Sequence, residues 1–203
     1  MMKPAWAAET IRSLSADARR RLVVVDNSAD GLGRRAHKLV TGTYLRNGQN
    51  LGCAASWNVG AAIAETMGAD HLTMLSEAVT FQDGGELWET MLAPEPVGLA
   101  GPNIWHLYGL HLDTLKATGP FDDGFWPIYY EDTDYERRMA LLGLWPRWDP
   151  RVALSYTDRG HAHTWKDGWI AVDYDQQGRR YTAKWGGMPG HETFTRPWGY
   201  PAT

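Results

Sequence analysis

Hydrophobic and polar positions along the chain alternate between helical and strand-like patterns. Residues 4–14 place Ala5, Ala8, Ile11 and Leu14 near helical spacing, and Pro4 suits a first helical turn. Residues 21–26 form a short β-branched run that ends in Asp26, and the turn formers Asn27, Ser28, Asp30 and Gly31 follow it. Such an unbroken apolar run suits a strand covered on both faces. Residues 51–67 predict an Ala-rich helix packing through Ala61, Ala62, Ala64 and Met67, stopped by Gly68. A second buried strand is expected at 71–75 and a third at 96–101. Further helices are expected at 84–92, 113–118 and 133–142. Residues 145–156 read as one more strand, and beyond 158 the pattern fades into Gly, Pro, Trp and charged residues.

Strands alternating with helices predict an α/β fold, a Rossmann-like, mostly parallel sheet flanked by helices, with an irregular C-terminal tail. The expected division is a core over 1–157 and a tail or lid over 158–203. Ligands of such sheets bind beyond the carboxyl ends of the strands. Asp26-Asn27-Ser28 and Ser76-Glu77 stand at two such ends and are expected to share one crevice.

Composition narrows the function. The 203 residues carry a net charge of −4, which argues against a phosphate-driven nucleic-acid binder. The one cysteine, Cys53, excludes an intrachain disulfide and any multi-cysteine zinc site. No apolar stretch approaches the roughly 20 residues that span a bilayer, and the start lacks a signal-peptide pattern, so a cytoplasmic location is expected. Eleven tryptophans suggest an aromatic surface for carbohydrate, although part of them is expected in the core.

Three segments carry the chemistry. The first is Val23-Val24-Val25-Asp26-Asn27-Ser28. The second is Asn50-Leu51-Gly52 with Asn58-Val59-Gly60. The third is Gly119-Pro120-Phe121-Asp122-Asp123-Gly124-Phe125, then Glu131-Asp132-Thr133-Asp134, Arg137 and Gly143. In this order and spacing they resemble the family 2 glycosyltransferases, which have a GT-A fold and use nucleotide-diphospho-sugar donors. The resemblance covers roughly residues 4–150. It implies transfer of a sugar to a hydroxyl acceptor, with inversion and with Asp132 as the base beside Glu131. An acceptor hydroxyl needs such a base because its own pKa lies far above 7. Read without the resemblance, Glu131 and Asp132 simply cap a helix.

The resemblance further implies donor contacts from Asp26, Asn27, Ser28, Asn50, Asn58, Ser76 and Glu77. Read locally, Asp26 makes an Asx turn. Lys184 is either a counter-charge for the diphosphate or a surface lysine. The family's metal-holding Asp-x-Asp appears here as Ser76-Glu77-Ala78. Glu77 then either holds Mn2+ or Mg2+ with water, or the enzyme works without metal, or catalysis is lost. His161 and His163 share a face if extended and are candidate metal ligands, or else belong to a polar loop. Trp105, His106 and Asp123 are the expected acceptor contacts. A glycan, lipid-linked or protein acceptor all fit. The family's first strand has no counterpart at the start of the chain. The rival readings are a degenerate module that binds a nucleotide sugar or glycan without turnover and, further off, a hydrolase using His161 and His163.

Overall fold

A computed structural model describes residues 4–28, 36–101, 104–159 and 173–200. Helix α1 (Pro4–Ser13) buries Ala8 and Ile11 of the expected face, with Leu14 just beyond it, but buries Ala7 in place of Ala5, which is exposed. Ser15 caps α2 (Ala16–Arg21), accepting a hydrogen bond from the Ala18 N–H. Strand β1 (Val23–Asp26) pairs in parallel with β2 (Thr43–Arg46). Helix α3 (Cys53–Thr66) packs on β1 and on β3 (His71–Leu75). There follow β4 (Val79–Phe81), α4 (Glu86–Leu92), β5 (Gly98–Ala100) and a 3-10 turn at Ile104–His106. Strand β6 (Leu107–His111) runs directly into α5 (Leu112–Thr118). The chain continues through α6 (Glu131–Leu141), β7 (Arg147–Trp148), β8 (Tyr156–Asp158) and α7 (Tyr174–Trp185).

The α/β class stands, but the sheet is not mostly parallel. Among the described residues the strands form a parallel pair β1-β2, a four-stranded sheet β3-β6-β5-β7 and an antiparallel pair β4-β8. In the four-stranded sheet β6 runs antiparallel to both β3 and β5, whereas β7 is parallel to β5. The reason is connection length. Residues 101–106 alone join β5 to β6, and a parallel crossover needs about a dozen residues or more. The strand expected over 145–156 is split into β7, a 3-10 turn at Pro150–Leu154 and β8.

Strand β6 divides two cores. Tyr108 and Leu110 face Ala54, Ala64, Leu115, Phe121, Tyr135 and Met139. Leu107 faces the other way, into the cluster of Trp88, Met91, Leu92, Leu99 and Val152. Gly109 lies on this second side, and a Cβ there would stand 2.6 Å from Leu92 Cδ1 and 3.0 Å from Trp88 Cζ2. Glycine thus lets α4 close onto the sheet.

The C-terminal region is not irregular throughout. Helix α7 is capped by Asp173, which accepts from Gln176 N–H, and stopped by Gly186 at φ 73°. Its Tyr181 and Trp185 bury against Phe125 and Tyr130. Apolar spacing does not mark this helix because much of its buried face is polar: Gln177 and Lys184 are buried beside the two aromatic rings. No helix among the described residues is long and apolar enough to cross a membrane.

Candidate active site

Three loop ends meet at the N-terminus of α3. The first follows β1. Asn27 donates to Ser56 Oγ at 2.6 Å and accepts from Asn47 Nδ2 at 3.0 Å. The second precedes α3, where the Asn50 side chain accepts from Gly52 N–H at 2.9 Å. The third is the loop before α6. Pro127 O accepts from Cys53 N–H at 2.9 Å, and the Trp126 indole donates to Asn50 O at 3.0 Å. Gly52, at φ 82°, is required at this crossing, since a Cβ would stand 2.9 Å from Pro127 O.

Helix α6 enters from that third loop. Tyr129 and Tyr130 both lie in the left-handed region, at φ 82° and 70°. Two consecutive non-glycine residues there cost on the order of 1–3 kcal/mol each, a strain found mostly at functional sites. The turn delivers Glu131 and Asp132 onto the first turn of α6, where the helix dipole favours carboxylates. Glu131 is 3 % exposed, and its Oε2 has no hydrogen-bond partner. Burial first, and then the Asp132 charge, push its carboxyl up to about 8, against opposing hydrogen bonds from the Tyr129 backbone and the Cys53 thiol. Asp132 is only partly buried, and its Oδ1 accepts from the Thr133 N–H at 2.7 Å. Burial, and the charges of Glu131, Glu77 and Asp132, push the Cys53 thiol well up.

The Glu77 turn is pinned from two sides. Thr10 Oγ1 donates to the carbonyls of Glu77 and Val79 at 2.8 and 2.7 Å. Arg159 donates to Glu77 O at 2.8 Å and stacks over Trp6. Ser76 Oγ accepts from Ala78 N–H at 3.2 Å, a turn contact. A hard divalent cation takes six or more oxygen ligands. Among the described residues no group of three or more His, Cys, Asp or Glu side chains could hold a metal ion. His161 and His163 lie outside the described residues.

Other expected site residues are engaged within the fold. Asp26 is fully buried, and its carboxylate accepts from Ser28 N and Oγ and from the Tyr44 hydroxyl at 2.6 Å. Asn58 clasps the Gly119–Phe125 loop, donating to Phe121 O at 2.9 Å and accepting from Phe121 N–H at 2.8 Å. Lys184 is buried between Asp122 and Asp134, 2.8 and 2.5 Å from their carboxylates. Its charge thus joins α7 to the core. Trp105 stacks on Tyr108 at 4.0 Å and donates to Glu136 at 2.8 Å. Burial raises the Glu136 carboxyl, and Asp132, one helical turn away, adds to this. His106 pairs with Asp158 at 2.7 Å. Asp123 is exposed at the tip of its loop.

Nothing along the chain marks the roles of Thr10, Arg159, Cys53 and Glu136. Each acts across the fold, and only the Glu131 i,i+5 and Asp132 i,i+4 relations to Glu136 are visible along the chain. Comparisons with models of known protein families and with curated proteins find no match.

Proposed function

We propose that the chain is an inverting, GT-A-like glycosyltransferase that moves a sugar from a nucleotide-diphospho-sugar to an acceptor hydroxyl. The observation that carries the reading is the meeting, at the N-terminus of α3, of the loop after β1 with the loop that leads to Glu131 and Asp132. The three segments of the family resemblance contribute to that one place. In the reaction Asp132 takes the acceptor hydroxyl proton as the oxygen attacks the anomeric carbon. The bond from that carbon to the diphosphate oxygen breaks on the opposite face, and the nucleoside diphosphate leaves with the bonding electrons. Glu131 is buried, and its carboxyl, pushed up to about 8, holds its proton near neutral pH beside that base.

The test is incubation with UDP-, GDP- and TDP-sugars and a mixed acceptor panel, with Mn2+ and with EDTA. Asp132→Asn is expected to lower transfer by about two orders of magnitude or more, the usual range for loss of a general base. Its fold and its nucleotide binding are expected to stay intact. Undiminished turnover in the variant removes Asp132 from the base role.

A non-catalytic binding module is the second reading. It is favoured by Ser76 and Ala78 flanking Glu77, and by the engagement of Lys184 with Asp122 and of Asp26 with Tyr44 inside the fold. Donor binding with neither hydrolysis nor transfer across the panel would establish it.

A further inference from the structure

A cavity of about 570 Å3 is walled by Tyr130, the residue before Glu131, and by one face of α7. That size falls within the roughly 300–1,000 Å3 of small-molecule sites. Tyr174, Asp175, Arg179 and Thr182 recur along α7 at helical spacing and so form one stripe, which Met188 closes beyond the helix. The opposite face of α7 is the buried one that carries Gln177, Tyr181, Lys184 and Trp185. Tyr174 is 55 % exposed, and its ring lies 5.2 Å from that of Tyr130 and 5.3 Å from that of Tyr129. Gly178 makes room for this wall, since a Cβ there would stand 3.2 Å from the Tyr130 hydroxyl. The polar groups are complementary. Asp175 accepts, Arg179 donates and Thr182 does either. Among the described residues, Arg179 is paired at 3.5 Å with the exposed Asp173.

We infer that this cavity is an acceptor subsite that seats a hexopyranose ring, with its C–H face on Tyr174 and its hydroxyls between Asp175 and Arg179. The inference rests on the transferase reading. A pyranose pairs an apolar face with hydroxyls that both donate and accept, and this wall supplies a partner for each. An acyl chain has no use for the acid and the guanidinium, and a nucleoside diphosphate would meet the like charge of Asp175. The location fits an acceptor. Tyr130 is at once a wall of the cavity and the residue that precedes Glu131.

The experiment is saturation-transfer NMR on the full chain without donor. The probes are methyl glycosides of common hexoses and N-acetylhexosamines, their short oligosaccharides, and UDP. The expected result is binding of at least one glycoside through one ring face. Loss of the aromatic stack in Tyr174→Ala is expected to weaken it roughly tenfold. Asp175→Asn and Arg179→Ala are expected to weaken it too. Circular dichroism checks that each variant is folded. The inference is overturned if no glycoside binds, if binding ignores all three cavity substitutions, or if UDP is the ligand whose binding depends on Tyr174. A chain that transfers sugar yet binds no glycan through Tyr174 loses only the subsite. One that binds glycan through Tyr174 but turns over no donor loses the transferase reading and the acceptor role with it.

Discussion

Glu131 is the residue where burial and chemistry conflict most. Its carboxyl is taken out of water beside a second carboxylate, with Oε2 unpartnered, so the charged form is penalised and the proton is held up to about pH 8. The consequence for stability has a definite sign. Below the ordinary Glu value of 4.5 both folded and unfolded states are protonated and the group contributes nothing. Between there and about 8 only the unfolded chain releases the proton, so stability falls as pH rises, with a slope approaching about 1.4 kcal/mol per pH unit. Above that window the penalty is complete. Glu131→Gln removes the titration. Its melting temperature is expected to gain on the parent's progressively from pH 5 to pH 8, and a constant difference across that range in thermal scans would contradict the assignment.

Among the elements, α6 and α7 depend on each other through one buried ionic cluster. Asp134 is fully buried and accepts from Arg138 at 3.0 Å and from the Trp185 indole at 2.9 Å, with Lys184 Nζ at 2.5 Å. Asp122 adds Arg180 at 3.1 Å. Burial opposes its charge, but the Lys184 ammonium and the other donors outweigh that and hold its carboxyl below the usual range. Removing one partner of such a cluster strands the others, at about 3–5 kcal/mol. Lys184→Met is expected to lower the urea midpoint accordingly and to release α7 to limited proteolysis at a concentration that spares the parent. A midpoint within error of the parent's would show that Lys184 is dispensable for docking. Most helices were legible from the chain, because their apolar spacing and caps are local. Helix α7 was not, although Asp173 and Gly186 mark its ends, because its buried face includes Gln177 and Lys184, whose partners lie far away in sequence.

For the molecule as a whole, the decisive element is β6, on which both cores close. Leu107 and Leu110 are each completely buried, on opposite faces. The glycine between them makes the second face approachable, so Gly109→Ala is expected to overpack it against Leu92 and Trp88, at about 1–3 kcal/mol. Equilibrium urea unfolding reads the loss, and an unchanged midpoint would mean that α4 can shift without cost. The sequence by itself determined the α/β class, the helices α1, α3, α4, α5 and α6, the strands at 23–26, 71–75 and 98–100, and the residues at the strand ends. Those follow from spacing, propensity and turn chemistry, which act within a few residues. Tertiary structure alone decided the strand directions, the place of β6 and the docking of α7. It also decided which polar side chains are consumed. Asp26, Asn58 and Lys184 look alike along the chain as ligand contacts, but their hydrogen bonds and ion pairs are met from within. Glu131 and Asp132 instead follow a loop that is bonded to the start of α3. A buried polar group must find a partner, and who that partner is depends on chain segments that only the fold brings together.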